Sequence, residues 1–154
     1  MAKGINQKLK LLYLAKIFME KTDEHHALTL SEITRHLNAY GVNANRKTLY
    51  LDFEELRHYG LDIVSEQYGK SVVYYLASRN FELAELKLLV DSVQAAKFIT
   101  EKKSNALIKK LESLTSEHEA RYLHRQVITA GRIKSMNESI LINVDHIHSA
   151  IHDD

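Results

Sequence analysis

The sequence predicts a mostly α-helical protein, in which three helices and one β-hairpin at the N-terminus precede an all-helical segment. Three observations predict this class. Apolar residues recur at intervals of three and four along most of the chain. Two runs rich in β-branched and aromatic residues, 62–68 and 71–77, are separated only by Gly69 and Lys70. The sequence has no proline, so none interrupts the expected helices.

The first two helices are expected over residues 6–20 and after Thr29. The first has a helical face marked by Leu9, Leu12, Tyr13, Lys16 and Ile17. Thr29 lies three residues before Glu32, so the hydroxyl and the carboxylate can each accept from a free backbone N–H of the first turn. Gly41 follows the last turn, at a position where a left-handed residue commonly ends a helix. We therefore expect the chain to turn over residues 40–44.

The third helix is expected over residues 45–58, with one apolar and one basic face. Asn45 is its predicted N-cap, and Gly60 is its predicted stop. The apolar face consists of Leu49, Phe53 and Leu56. The arc away from that face holds Arg46, Lys47, Tyr50, Leu51 and Glu54. The N-terminal half of this helix is therefore expected to be basic and exposed.

The two strand-like runs after Gly60 predict a hairpin. Gly69 in the first loop position favours a type II′ turn and leaves Lys70 at the tip. Helices followed by a hairpin in this order predict a winged helix-turn-helix, a fold that binds DNA. Lys70 is therefore a candidate contact to the DNA backbone.

In a helix-turn-helix the second helix of the motif enters the major groove and contacts bases near its N-terminus. Arg and Lys suit guanine edges, and Asn suits adenine. The candidate DNA-binding residues are therefore Asn43, Asn45, Arg46, Lys47, Thr48, Tyr50 and Lys70. Thr48 and the helix N-terminus can instead hold a phosphate, and the sequence leaves these two roles open. For Tyr50, contact with DNA and packing against the wing are equally open.

The run from Asn45 to Leu56, NRKTLYLDFEEL, followed by YGLDI, resembles the DNA-reading helix of bacterial WYL-domain transcriptional regulators with a deoxyribose-repressor-type winged helix. Residues 81–104 are similar to the helical segment that follows in such regulators. The resemblance implies a DNA-binding domain over residues 1–79. It also implies a helical linker and dimerisation segment over residues 80–154. This segment would lead to an absent WYL domain that senses an unknown effector.

The C-terminal half is expected to be helical. Further helices are predicted over residues 82–99 and onward from Thr100, Ser116 and Asn137. Ser116 and Glu119 can form a second capping box, and residues 127–133 are expected to be a loop or a brief strand. The last helix carries an apolar seam, spaced by four, three and four, of Ile140, Val144, Ile147 and Ile151. These apolar residues are expected to pack either against the rest of the chain or against a second copy of it. If they pack against a second copy, they form the expected dimer interface.

Composition argues against several classes of protein. Zero cysteine excludes disulfides and thiolate metal sites. No apolar run is long enough for a bilayer and no signal peptide is evident, so a cytoplasmic setting without membrane contact is expected. Asp145, His148 and His152 share helical spacing but lack further ligands, so a polar helix face is the better interpretation and no metal is expected. Without a glycine-rich phosphate loop, a nucleophile elbow or paired carboxylates, neither enzyme activity nor a cofactor is expected.

The charge balance requires a local basic patch. The net charge is +1; residues 1–80 hold 11 basic and 9 acidic residues, and residues 81–154 hold 10 and 11. Each monomer would then contact few phosphates, so we expect a homodimer whose two reading helices lie about 34 Å apart on an inverted-repeat operator. The expected function is sequence-specific transcriptional regulation. The alternative is a winged-helix protein-interaction module without DNA binding.

Overall fold

The chain is mostly helical and contains one small antiparallel sheet, which confirms the predicted mostly-α class. The computed structural model describes residues 6–128, 134–137 and 139–152. Within those residues lie seven α-helices and three strands. The chain divides into two compact units. The first comprises Met1–Asn80 and Thr115–His118, and the second comprises Phe81–Leu114 and Glu119–Asp154.

The first unit places a three-stranded sheet beside three helices. In chain order it holds α1 (Lys10–Lys21), β1 (Leu28–Thr29), α2 (Leu30–Ala39), α3 (Arg46–Tyr59), β2 (Ile63–Tyr68) and β3 (Ser71–Leu76). A single 3-10 turn, Gln7–Leu9, precedes α1. The sheet is antiparallel with the order β1-β3-β2, so β3 is its central strand.

Helices α2 and α3 begin at the predicted caps. The N–H of Thr29 donates to the Glu32 carboxylate at 2.8 Å, and the N–H of Glu32 donates to the Thr29 hydroxyl at 3.3 Å. This reciprocal pair confirms the capping box. At the start of α3, the side-chain oxygen of Asn45 accepts from the N–H of Thr48 at 2.9 Å. Both helix starts are therefore fixed by short-range sequence.

Helix α2 ends in a turn that requires a glycine. Gly41 has a φ of +72°, a region that residues with a Cβ rarely adopt. Its N–H donates to the Asn38 carbonyl, and the N–H of Val42 donates to the Leu37 carbonyl, the pattern of a Schellman motif. Val42 and Leu37 are both fully buried, so their side chains close the end of the helix. The predicted stop is confirmed, and it directs the chain into α3.

The hairpin also forms as predicted. Strands β2 and β3 pair from Ile63 with Leu76 to Tyr68 with Ser71, leaving a two-residue loop. Gly69 has a φ of +60°, whereas Lys70 does not have a positive φ. A type I′ turn needs positive φ at both loop residues, so the loop fits type II′.

Strand β1 is absent from the sequence prediction. Leu28 pairs with Tyr74 and Thr29 pairs with Val73, which adds a third strand to the sheet. Two residues are too few to show an alternating pattern, so periodicity could not reveal this strand. Tertiary pairing with β3 defines it instead.

Every helix of the first unit contributes to a single core. Its buried members are Leu14, Ile17, Phe18, Ile33, Leu37, Val42, Leu49, Phe53, Leu56, Ile63, Tyr74 and Leu76. The predicted face of α1 is partly wrong, because Leu12 is 68% exposed. Apolar residues lie almost all round this helix, so spacing alone could not select the face that Leu14 and Phe18 bury.

The second unit is helical in the part that the structure describes. Its helices are α4 (Leu83–Ala95), α5 (Glu101–Glu112), α6 (Glu117–Ile128) and α7 (Ser139–His152), with the first residues of α6 belonging to the first unit. The prediction of a helix over 82–99 is wrong at its end, since α4 stops at Ala95. The ammonium of Lys134 donates to the Val93 and Ala96 carbonyls at 2.7 and 2.9 Å, which holds that end.

The other expectations for this half had mixed outcomes. Thr100 caps α5 by accepting from the N–H of Lys103, as predicted. Residues 127 and 128 belong to α6 rather than to a loop or strand, because the helix continues to Ile128, and 129–133 lie outside the described residues. None of the described helices is long and apolar enough to span a bilayer.

Candidate nucleic-acid interface

Helix α3 presents two opposite faces. Leu49, Phe53 and Leu56 are buried in the core. The predicted outer arc is exposed, with Arg46, Lys47, Tyr50, Leu51 and Glu54 all at the surface. The first turns of α3 therefore present two cations to a ligand approaching from outside.

Lys10 of α1 binds two side chains in the first half of α3. Its ammonium forms an ion pair with Asp52 and donates to the Thr48 hydroxyl at 3.0 Å. Both charged side chains are largely shielded from water, which strengthens their attraction. The Thr48 hydroxyl also donates to the Asn45 carbonyl. The Thr48 hydroxyl therefore makes hydrogen bonds within the protein that help to position the start of α3. Its predicted contact with DNA stays a prediction.

Tyr50 organises the exposed face of α3. The Nε–H of Arg46 donates to the Tyr50 hydroxyl at 3.0 Å, and the guanidinium carbon lies 5.8 Å from the centre of the Tyr50 ring. The ring meets Phe53 edge-on, with centroids 6.5 Å apart. The hydroxyl groups of Tyr50 and of Tyr74, on β3, lie close enough to shift each other's pKa. Tyr50 thus lies beside its own sheet, one of the two alternatives left open by the sequence, and 39% of it remains exposed.

The pKa shifts follow from these contacts. The hydrogen bond from Arg46, followed by the neighbouring Tyr74 hydroxyl, lowers the pKa of Tyr50, because each stabilises the phenolate. Burial, followed by the neighbouring Tyr50 hydroxyl, raises the pKa of Tyr74 to about 12. The guanidinium and the two phenols therefore form one coupled polar group at the junction of α3 with the sheet.

The remaining candidates lie at the surface around the same end of α3. Asn43 is exposed in the turn before α3, and Asn45 uses its side-chain oxygen as the helix cap. Lys47 and Lys70 are exposed, and neither makes an ion pair or hydrogen bond within the described residues. These two ammonium groups are thus available to an anionic ligand.

Acidic side chains in the first unit are mostly engaged internally. Among its described residues, six of the nine carboxylates at positions 1–80 hold an ion pair or hydrogen bond: Glu20, Asp23, Glu32, Asp52, Glu54 and Glu66. Glu54, the acid on the outer arc of α3, pairs with Arg57 at 2.5 Å. Near the start of α3, the exposed cations Arg46 and Lys47 therefore have no ion-pair partner among the described residues, although the total charge is near neutral.

Helix α2 also has an exposed polar face, which is absent from the sequence predictions. A groove beside Arg46 is lined by Leu30, Ser31, Thr34, Arg35 and Asn38. Ser31, Arg35 and Asn38 are spaced by four and three and are exposed, opposite the buried Ile33 and Leu37. The spacing of Ser31, Arg35 and Asn38 is the sequence signal that indicates this polar face.

A second polar cluster in the first unit is structural. The Ser116 hydroxyl donates to the buried Asp23 carboxylate at 2.5 Å, and His26 contacts the same carboxylate at 2.7 Å. The His26 ring also stacks on that of His118, with centroids 3.8 Å apart. Burial would raise the pKa of Asp23, but hydrogen bonds from Ser116, His26 and the His25 N–H outweigh it and lower that pKa. Within the described part of the chain, no group of acidic or histidine side chains is arranged to hold a metal.

The predicted dimer residues on α7 are incompletely covered. Ile140 and Val144 are half-buried, whereas Ile147 and Ile151 are exposed. Leu141 and Ile142, which follow Ile140 in the sequence, line a pocket with Phe98 and Ile99. The burial on α7 is thus limited to its first turns, where Ile140, Leu141 and Val144 are half-buried.

No protein-family model, curated protein sequence or solved structure matches this chain. The resemblance to WYL-domain regulators remains a prediction.

Proposed function

We propose that the first unit is a winged helix-turn-helix that binds duplex DNA in a sequence-specific manner, and that the protein regulates transcription. One observation carries the proposal: α3 is seated by its apolar face after a tight turn from α2, and its exposed basic residues Arg46 and Lys47 have no acidic partner among the residues that the structure describes. The element order supports it, because three helices with a β1-β3-β2 sheet are the elements expected of a helix-turn-helix with a hairpin wing.

In this proposal α3 lies in the major groove. Arg46 and Lys47 face base edges or flanking phosphates, and Asn43 and Asn45 stand at the entry to the groove. Lys70 at the tip of the hairpin contacts the backbone. Each contact uses an atom that is free at the surface, except at Asn45, where only the side-chain amide nitrogen remains available.

The charge pattern predicts a salt-dependent complex. A few phosphate contacts per monomer give modest affinity, and each neutralised phosphate adds about −0.9 to the slope of log K against log salt. We further propose that pairing through the α7 seam joins two such units on an inverted-repeat operator, since symmetric dimers match symmetric sites.

The proposal is tested by fluorescence anisotropy with a randomised duplex pool at two salt concentrations, followed by sequencing of the retained DNA. The double variant Arg46→Ala/Lys47→Ala should bind roughly 100-fold more weakly, because two groove contacts of about 1–3 kcal/mol each are lost. Its thermal midpoint should stay unchanged. The control Lys109→Ala/Lys110→Ala removes the same charge from exposed positions of α5 and should bind like the wild type. Equal affinity for the two double variants would refute the proposal.

A second function, protein interaction without DNA, is favoured by a specific observation. Leu51 and Tyr59 of α3 are 68% and 82% exposed, which is unusual for a helix lying in a charged groove. An apolar partner interface depends weakly on salt, whereas counterion release makes DNA binding fall steeply with salt. Salt-insensitive binding to a protein partner, with no binding to DNA at low salt, would select this function.

A further inference from the structure

The exposed arginine of α3 is held by its own helix. The Arg46 guanidinium has five N–H groups, and its Nε–H is donated to the Tyr50 hydroxyl at 3.0 Å. No ion pair occupies the rest of the guanidinium within the described residues. The two terminal nitrogens therefore remain as a fork that a ligand can engage.

Tyr50 is a firm support for this arrangement. Its ring rests edge-on against Phe53, a core residue that also contacts the ring of the buried Tyr74. A ring held against the core has little freedom to follow the arginine. Arg46 therefore loses less conformational freedom on binding than an unsupported surface arginine would.

The free fork has the geometry of one particular base contact. Guanine presents two acceptors, O6 and N7, on its major-groove edge, and a guanidinium binds them with two parallel N–H groups. Adenine presents one acceptor and one donor there, so the same fork meets an unfavourable donor. An arginine whose Nε is already engaged has only the terminal pair to offer, which favours the guanine edge.

We propose that Tyr50 is a positioning residue that orients the Arg46 fork toward a guanine in the major groove. The inference rests on the proposed function and adds the identity of one base and the residue that secures its recognition. Tyr50 itself need not touch DNA in this arrangement, because its effect passes through Arg46.

The test compares Tyr50→Phe, which removes only the hydroxyl, with Tyr59→Phe, a control at an exposed tyrosine of the same helix. Selection from a randomised duplex pool with the wild type should enrich a guanine at one fixed position. Tyr50→Phe should bind the selected duplex roughly five- to tenfold more weakly, consistent with the loss of one charge-assisted hydrogen bond. Its preference for guanine at that position should fall while the preferences at other positions persist.

Two further measurements separate positioning from structure. Replacing the selected guanine by 7-deazaguanine removes the N7 acceptor and should weaken wild-type binding more than binding by Tyr50→Phe. In an Arg46→Ala background, Tyr50→Phe should have no further effect, because the double-mutant cycle then contains no coupling partner. The thermal midpoints of Tyr50→Phe and Tyr59→Phe should agree.

The outcomes distinguish this inference from the proposed function. If the wild type selects a DNA sequence but Tyr50→Phe keeps the full guanine preference, the positioning role is overturned and DNA binding stands. If Tyr50→Phe weakens binding equally for every base at every position, Arg46 contacts phosphate and the guanine assignment is overturned. Absence of wild-type binding at low salt would overturn both.

Discussion

Helices α3 and α7 have the same length and similar apolar spacing, yet only one of them buries its stripe. Both contain 14 residues. In α3 the stripe of Leu49, Phe53 and Leu56 is at most 5% exposed, whereas Ile147 and Ile151 of α7 are 58% and 69% exposed. The difference teaches that periodicity identifies an apolar face but does not identify what covers it. In α3 the cover is the sheet and α1; in α7 the described residues leave much of the seam open.

Replacing one stripe residue in each helix should produce the largest contrast. Phe53→Ala removes a ring packed against Phe18 and Tyr74 and should lower the free energy of unfolding by roughly 3–5 kcal/mol. Ile147→Ala should change it by no more than about 0.5 kcal/mol, because an exposed residue loses little packing. Urea unfolding at low micromolar protein measures both values. Similar losses would mean that the α7 seam is covered within the folded monomer.

Features that depend on neighbouring residues could be predicted from the sequence, whereas features that depend on distant residues could not. Local chemistry predicted the Thr29–Glu32 capping box, the stops at Gly41 and Gly60 and the hairpin at Gly69, because each depends on neighbours within a few residues. It could not predict β1, which exists only by pairing with β3.

The candidate site divides in the same way. Spacing placed Arg46, Lys47 and Tyr50 on the outer arc of α3, where they lie. It could not show that Thr48 and Asp52 are held by Lys10, 38 or more residues away in sequence, or that Ser116 donates to Asp23. Long-range polar contacts leave no periodic signal, so they emerge only from the three-dimensional structure.

The uncovered seam leads to the next prediction, which concerns association. If a second copy covers α7, Ile147→Asp/Ile151→Asp should weaken self-association by at least roughly 100-fold, or about 2.7 kcal/mol, because two charges would enter an apolar interface. Sedimentation equilibrium across a concentration series measures the effect. Ser149→Asp, on the opposite side of the same helix, adds a charge away from the seam and should associate like the wild type. A wild type that remains monomeric throughout would remove the dimer from the proposal.

A buried carboxylate in the first unit and an exposed one on α7 extend the comparison to pH. Asp23→Asn should cost about 2 kcal/mol at neutral pH, since hydrogen bonds to a charged, shielded carboxylate are lost. Because its folded pKa lies below the ordinary 3.8, the stability it contributes is present above that value. This contribution disappears as the pH falls through the folded pKa.

Thermal unfolding from pH 2 to 7 tests this sign. The gap between the wild type and Asp23→Asn should be full above about pH 5 and should narrow below pH 4. Asp145→Asn, at an exposed acid of α7, should follow the wild-type curve at every pH. A gap that widens in acid would show that the folded pKa is raised rather than lowered.

The smallest expected effect concerns the asparagines that accept a hydrogen bond from the first turn of α3 and of α7. Asn45→Ala removes the acceptor for the Thr48 N–H and should lower the unfolding free energy by about 1 kcal/mol. Asn137 accepts from the N–H of Ser139 before α7, but Asn137→Ala should leave global unfolding nearly unchanged, because α7 has no buried residue in the described structure. Asn43→Ala, in the turn, is the control for a change of side chain without a cap. Denaturant unfolding of the three variants measures these free energies. If Asn137→Ala lowered the free energy of unfolding as much as Asn45→Ala, then α7 would unfold cooperatively with a core to which it contributes no buried residue in the described structure.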